Sequence, residues 1–106
     1  MALPEEITIG EARDLAADDA VFVDVREDWE RGICAIADSL HIPMNSIPTR
    51  HGELPKTGPL VIYCHHGMRS LQVVFWLRAN GFENAQSLAG GIDLWAAEVD
   101  PEMATY

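Results

Sequence analysis

A short apolar run directly before a cysteine restricts the possible folds of this chain more than any other feature. Residues 59–63 are apolar and include β-branched side chains, and turn-forming residues 56–58 precede them, which predicts a strand buried on both faces. From Arg69 the apolar residues recur at close to helical spacing, and Asn80-Gly81 is a typical helix end. A buried strand followed by a helix is the unit of a parallel α/β sheet.

The order of the remaining elements agrees with such a sheet. Thr8 and Glu11 have the spacing of a capping box, which predicts a helix that Asp18-Asp19 ends. Strands are predicted at residues 20–25, 39–42, 59–63 and 85–88. A short helix is predicted at residues 28–31, a last helix at residues 92–99, and a loop at residues 45–58. Because strands alternate with helices, we predict an α/β fold whose parallel sheet is covered on both faces. The chain shows no repeat or linker, which predicts a single domain over residues 1–106.

Cys64 lies where the predicted strand at residues 59–63 ends. The backbone N–H groups of the following loop, and the positive end of the next helix, stabilise a thiolate relative to a thiol. Ligands of parallel α/β sheets bind at the carboxyl ends of the strands. Cys64 is therefore predicted to be a nucleophile, and the alternative is a buried cysteine that only packs.

The loop after Cys64 has the composition of a small anion-binding loop. Gly67 can adopt a positive φ and turn its amide inward. Arg69 adds a cation, although it could instead cap or solvate the start of its helix. Four residues separate Cys64 from Arg69, one fewer than in cysteine phosphatases. The shorter loop favours a smaller guest than a phosphoryl group, such as a persulfide or the terminal sulfur of thiosulfate.

This loop resembles the active loop of the rhodanese family of sulfurtransferases, which has the form Cys-x-x-Gly-x-Arg followed by Ser or Ala. The matching residues are Cys64, Gly67, Arg69 and Ser70. Residues 21–30, 38–43 and 88–95 also resemble family segments, so the resemblance runs from about Ile7 to Trp95. The chain departs from the family just before Ala37, where relatives carry Gly-His-Ile-Pro and this sequence has Cys-Ala-Ile-Ala at residues 34–37.

The resemblance implies a rhodanese-like sheet of about five strands and a defined set of site residues. The implied catalytic residues are Cys64 and Arg69. The implied substrate-binding loop adds His65, His66, Gly67, Met68 and Ser70, and the implied structural supports are Asp24 and Arg26. Neither a cofactor nor a metal is predicted. His65 and His66 could line the pocket or face solvent, but adjacent side chains on a tight loop should diverge and no further metal ligand is evident.

The implied reaction is sulfur transfer through a persulfide on Cys64. The donor would be thiosulfate or another sulfane-sulfur compound, and the acceptor would be cyanide, a small thiol or a protein thiol. Two other functions stay open. A cysteine-dependent phosphatase or arsenate reductase would use the same thiolate, although the short loop should crowd a tetrahedral oxyanion. A non-catalytic rhodanese-like binding module is the other alternative, although this chain keeps the cysteine, the glycine and the arginine.

The second cysteine and the tryptophans are predicted to be structural. Cys34 lies in an apolar stretch, with nothing nearby expected to stabilise its thiolate, so a packing role is favoured over that of a resolving thiol. Trp29, Trp76 and Trp95 are predicted to pack rather than to bind substrate. Gly90-Gly91 predicts a tight turn into the last helix, near the rim of the pocket.

Composition excludes several functional classes. The net charge is −10, and only seven residues are Lys or Arg, which argues against nucleic acid and against anionic membranes as partners. With 48% hydrophobic residues the chain can bury a core without disulfides or metals, and two cysteines are too few for a disulfide framework. The sequence shows neither a signal peptide nor an apolar run of about 20 residues. A reducing, cytoplasmic location is predicted.

Overall fold

A computed structural model describes residues 3–106 of the chain. Within that range, five parallel strands form one sheet: β1 (Glu6–Ile7), β2 (Val21–Asp24), β3 (Leu40–His41), β4 (Leu60–Tyr63) and β5 (Ala85–Leu88). Their order across the sheet is β1-β5-β4-β2-β3, so the strand that precedes Cys64 is central. The predicted parallel α/β sheet of about five strands is confirmed.

The helices follow the strands in the predicted order. They are α1 (Ile9–Ala16), α2 (Asp28–Ile33), α3 (Ile47–Arg50), α4 (Met68–Ala79) and α5 (Gly91–Glu98). The predicted capping box begins α1: the Glu11 amide donates to Thr8 Oγ1 at 3.1 Å, and the Thr8 amide donates to the Glu11 carboxylate at 3.0 Å. Asp19 follows this helix with a φ of 61°, a left-handed turn that ends it.

Two apolar layers cover the two faces of the sheet. Leu60 and Ile62 of β4 belong to one layer, which α4 covers with Val73, Val74 and Leu77. Val61 and Tyr63 point to the other face, where α1 and α5 supply Ile9, Ala12, Ile92 and Trp95. Successive residues of a strand face opposite sides, so a strand that is covered on both faces is mostly apolar. This requirement explains the apolar residues 60–62 of β4, and the hydroxyl of Tyr63, which ends the strand, is hydrogen-bonded by the Ile36 amide and Ser39.

One prediction about local structure is wrong. Residues 45–58 are not a plain loop, because they contain α3 between the two 3₁₀ turns Met44–Ser46 and His51–Glu53. Pro48 lies in the first turn of α3, where its fixed φ favours a helix and its missing N–H is not needed. Trp95 is buried in the core, whereas 63% of the surface of Trp29 is exposed and its packing contact is an edge-on one with the Tyr106 ring. No helix among residues 3–106 is long and apolar enough to cross a membrane.

Candidate active site

The sulfur of Cys64 lies at the carboxyl end of β4, surrounded by backbone donors. The Gly67 amide donates to Sγ at 3.1 Å and the Ser70 amide at 3.4 Å. The side chain of Ser70 is 3.4 Å from the sulfur and is itself held by Ser87 at 2.7 Å. Cys64 is only 1% exposed, so the loop and not solvent surrounds it. The Ser70 amide belongs to the first turn of a twelve-residue helix, and backbone amides at such a helix end attract negative charge.

Gly67 has the positive φ that the sequence predicted, at 112°. This conformation turns its amide toward the sulfur, and it is strained for any residue with a Cβ. A Cβ at this position would also lie 3.3 Å from the Gly90 amide nitrogen and 3.4 Å from the Leu88 carbonyl oxygen. Glycine is therefore required both for the loop conformation and for the close approach of the chain after β5.

The Gly90-Gly91 turn packs directly on the loop. Both glycines have positive φ values, 83° and 62°. A Cβ on Gly91 would overlap the carbonyl oxygens of Cys64 and His65. Those same carbonyls accept hydrogen bonds from the amides of Ile92 at 2.9 Å and Asp93 at 3.1 Å. The start of α5 thus fixes the backbone on both sides of the Cys64–His65 peptide bond.

Arg69 is paired with a buried carboxylate. Its Nη1 and Nη2 donate to the two carboxylate oxygens of Glu30, at 2.6 and 2.9 Å. Glu30 lies on α2 and is 3% exposed. The Arg69 guanidinium lowers the pKa of Glu30 to about 2, and the same hydrogen bonds raise the pKa of Arg69. Both partners therefore stay charged, and the guanidinium fork faces Glu30 in this structure.

Glu30 is the site residue that sequence reasoning missed. It lies within the segment 21–30 that resembles the family, but nothing in that segment indicates its partner 39 positions away. A local signal does exist, because the Glu30 side chain accepts the Glu27 amide at 3.0 Å in a capping box. That spacing predicts the start of a helix rather than an ion pair.

Asp24 and Arg26 form a second ion pair, buried completely at the end of β2. Arg26 donates from Nε and Nη2 to the Asp24 carboxylate, at 2.9 and 2.7 Å, and both side chains are 0% exposed. The same Nη2 donates to the Cys34 carbonyl oxygen at 2.6 Å. The pair therefore connects β2 to the segment after α2. Among the hydrogen bonds of residues 3–106, none joins Asp24 or Arg26 to the sulfur of Cys64.

The surroundings of Cys34 differ from the prediction that nothing nearby stabilises its thiolate. Arg26 Nη1 lies 3.8 Å from Cys34 Sγ, so a cation is close to this half-buried sulfur. In the atypical segment 34–37, the Ile36 amide donates to the Tyr63 hydroxyl at 3.2 Å. This contact anchors the segment to β4 without the histidine and proline that relatives carry there.

His65 and His66 do not diverge as predicted. Their rings stack with centroids 3.9 Å apart and planes inclined by 23°. The other face of His65 stacks on Tyr106, at 4.0 Å and 13°. Burial is the main cause that lowers the pKa of His65. Met68, at the start of α4, is 78% exposed.

Asp93 completes a group of three possible metal ligands with the two histidines. Its carboxylate oxygens lie 3.9 Å from His65 Nε2 and 3.6 Å from His66 Nε2, and the ligand atoms are all within 4.8 Å of one another. However, an imidazole nitrogen binds a metal ion in the plane of its ring. The planes of the stacked His65 and His66 rings are nearly parallel and lie side by side, so one ion cannot lie in both planes. Coordination by all three would require one ring to rotate.

The candidate site is thus a buried cysteine at the end of a central parallel strand of an α/β domain, with backbone amides turned onto its sulfur. Residues 8–98 match the model of the Rhodanese-like domain family. The chain is 39% identical over 87 residues to a sulfurtransferase of Allochromatium vinosum, covering 82% of this chain and 81% of that protein. It is 30% identical over 100 residues to the thiosulfate sulfurtransferase GlpE of Ectopseudomonas mendocina, covering 94% and 92%.

The solved structures give the same result. The crystal structure of SSP1007 from Staphylococcus saprophyticus superposes with a TM-score of 0.81 at 37% identity, covering 91% of this chain and 97% of that one. Some other relatives are much longer, and the chain spans 22–24% of their length. The chain belongs to the rhodanese-like family.

Proposed function

We propose that this protein is a sulfurtransferase that carries sulfane sulfur as a persulfide on Cys64. The observation that carries the proposal is the pair of backbone amides, of Gly67 and Ser70, that donate to Cys64 Sγ. They stabilise negative charge on the sulfur of a thiolate, and they can stabilise it again on a bound persulfide. The family membership and the relatives that are sulfurtransferases support the same reaction class.

The first step is attack by the Cys64 thiolate on the outer sulfur of thiosulfate or a related donor. A new S–S bond joins Sγ to that sulfur, the S–S bond of thiosulfate breaks, and sulfite leaves with the bonding electron pair. Gly67 and Ser70 hold the sulfur in place, and the positive charge of Arg69 offsets the charge of the incoming anion. In this proposal His65, His66 and Met68 border the entrance to the loop.

Arg69 can act in two ways at this step. In the first, Arg69 stays paired with Glu30 and attracts the anion through the positive end of the ion pair. In the second, Arg69 gives up one of its two contacts with Glu30 and binds the sulfonate directly. The shared carboxylate weakens the net attraction for an anion, so we assign Arg69 a moderate contribution to thiosulfate binding rather than a dominant one.

The second step returns Cys64 to its resting form. An acceptor nucleophile attacks the terminal sulfur of the persulfide, the Sγ–S bond breaks, and the Cys64 thiolate leaves. Cyanide would leave as thiocyanate, and a thiol would leave as its own persulfide. The proposed cellular acceptor is a small thiol or a protein thiol in a reducing compartment such as the cytoplasm.

Intact-mass measurement tests the proposal directly. Thiosulfate should add the mass of one sulfur atom to the wild-type protein, and cyanide should remove it with release of thiocyanate. Cys34→Ser is the matched control and should still gain the sulfur, whereas Cys64→Ser should not. A sulfur gain by Cys64→Ser would contradict the assigned nucleophile. Hydrolysis of an aryl phosphate at a rate comparable to sulfur transfer would support a phosphatase instead.

A further inference from the structure

Tyr106 lies against the candidate active site, far in sequence from the residues that form it. Its ring stacks on His65, the residue directly after Cys64, at a centroid distance of 4.0 Å and an angle of 13°. Near-parallel packing at this distance buries one face of each ring. His66 stacks on His65 in turn, so the rings of Tyr106, His65 and His66 form one continuous stack at the start of the loop.

The hydroxyl of Tyr106 reaches Glu30, whose carboxylate holds Arg69 at the other end of the loop. It accepts a hydrogen bond from Arg26 Nη1 at 2.9 Å and donates to Glu30 Oε2 at 2.5 Å. Glu30 Oε2 also accepts from Arg69 Nη2, so Tyr106 and Arg69 share one carboxylate oxygen. Burial raises the pKa of Tyr106 to about 12, further above neutral pH than its ordinary value of 10.0, so the hydroxyl is protonated and can donate.

The ring of Tyr106 is held on further sides. Trp29 packs edge-on against it, with centroids 5.6 Å apart and planes at 71°, and the Arg26 guanidinium lies 5.8 Å from its centroid. This contact gives Trp29 a packing partner even though most of the tryptophan surface is exposed. A side chain with contacts to His65, Glu30, Arg26 and Trp29 has little freedom to move independently of the loop.

We propose that Tyr106 is a positioning residue of the sulfur-transfer loop. Its ring fixes His65, and through it the peptide that follows Cys64. Its hydroxyl fixes the Glu30 carboxylate, which in turn orients the guanidinium of Arg69. The kinetic part of this inference rests on the proposed function, whereas its structural part concerns His65 and the reactivity of Cys64 whatever the substrate is.

Two substitutions separate the ring from the hydroxyl. Tyr106→Phe keeps the stack and removes the hydrogen bond to Glu30, so it should raise the KM for thiosulfate and leave the rate of Cys64 alkylation by iodoacetamide close to wild type. Tyr106→Leu removes the ring stack as well as the hydrogen bonds of the hydroxyl. It should also slow turnover, with kcat/KM lower by about three- to tenfold, as expected when one or two hydrogen-bonded contacts are lost. Glu102→Gln, at an exposed position of the same segment, is the matched control.

An NMR titration of the His65 imidazole gives a readout that does not depend on turnover. Tyr106→Leu exposes the ring and should raise the pKa of His65 toward its ordinary value, because burial is the main cause that lowers it. The other charged groups that act on His65 are His66, Asp93, Glu30 and Arg69, and all are retained in the variant. Tyr106→Phe should leave the titration unchanged.

The outcomes separate the two proposals. If both variants match wild type in the His65 titration, in Cys64 alkylation and in the KM for thiosulfate, and differ only in melting temperature, Tyr106 merely packs and the inference is overturned. If Tyr106→Leu does not fold, the KM of Tyr106→Phe for thiosulfate tests the inference alone: a raised KM supports it, and a wild-type KM overturns it. If the wild-type protein takes no sulfur from thiosulfate, the proposed function fails, and the titration and alkylation still decide the role of Tyr106.

Discussion

Arg69 binds Glu30 through both of its terminal guanidinium nitrogens, at 2.6 and 2.9 Å, and does not project freely over the sulfur of Cys64. Bidentate pairs of this kind are among the stronger charged contacts in proteins. The contact joins the first turn of α4 to α2, so it positions the end of the loop as well as supplying charge. Both consequences can be measured separately.

The first prediction concerns acid stability and Glu30. The pKa of Glu30 is about 2 in the folded protein, below the ordinary value of 4.5, so its ionised form stabilises the fold at pH values above about 4.5. That contribution should decline as the pH falls from about 4.5 toward 2. Glu30→Gln should therefore lower the free energy of unfolding by about 3 kcal/mol at pH 7 and by roughly half as much at pH 3.

Urea unfolding at pH 7 and pH 3 checks this prediction. Glu102→Gln serves as a control, since this exposed glutamate has no hydrogen-bond partner among those described for residues 3–106. An equal loss of stability for Glu30→Gln at both pH values would show that packing, and not the charge, accounts for its contribution.

The second prediction separates charge from geometry at Arg69. Arg69→Ala should reduce kcat/KM for thiosulfate by roughly ten- to a hundredfold, as expected for a charge-assisted contact of ~1.5–3 kcal/mol. Arg69→Lys should keep part of the activity, because lysine supplies the charge without the planar fork. The loss should be smaller with an uncharged organic trisulfide, which has no sulfonate to bind.

A double substitution controls for the carboxylate that Arg69→Ala leaves unpaired. Arg69→Ala with Glu30→Gln should recover stability relative to Arg69→Ala alone, because a buried unpaired carboxylate is costly. It should not recover the use of thiosulfate. If the double variant regains wild-type kcat/KM, Arg69 acts only by neutralising Glu30, and anion binding is contradicted.

Sequence reasoning succeeded where the signal is local. The capping box of Thr8 and Glu11, the positive φ of Gly67 and the buried strand β4 all depend on residues within a few positions of one another. Each is dictated by backbone hydrogen bonding, by the absence of a Cβ, or by alternation across a two-sided sheet. The resemblance to the family added the expectation of about five strands, whereas their order across the sheet came only from the structure.

The contacts that were missed join distant parts of the chain. Arg69 and Glu30 are 39 positions apart, and Tyr106 and Arg26 are 80 apart. No pattern in a single sequence pairs such residues. The prediction that the side chains of His65 and His66 diverge was wrong for the same reason, because the distant Tyr106 supports the ring of His65 from its other face.

The third prediction concerns Cys34. Cys34→Ala should leave sulfur transfer nearly unchanged and lower the melting temperature only modestly, since the sulfur is half-buried. The Arg26 guanidinium 3.8 Å away is fully engaged with Asp24 and Tyr106, so it should not make Cys34 strongly nucleophilic. Steady-state turnover and the intact mass of the persulfide check this. Lost turnover with persulfide formation intact would identify Cys34 as a resolving thiol.

The final prediction ranks three glycine substitutions by their geometry. Gly52→Ala is the control, because a Cβ there meets nothing within 4 Å. Gly67→Ala should destabilise the fold by more than about 1 kcal/mol, because alanine is strained at a φ of 112°, and it should slow alkylation of Cys64 by turning the amide away from the sulfur. Gly91→Ala should be the most destabilising, since its Cβ overlaps two backbone carbonyls that cannot move aside cheaply. Thermal unfolding and iodoacetamide kinetics measure both effects, and a Gly67→Ala variant as reactive as Gly52→Ala would show that the Gly67 amide does not activate Cys64.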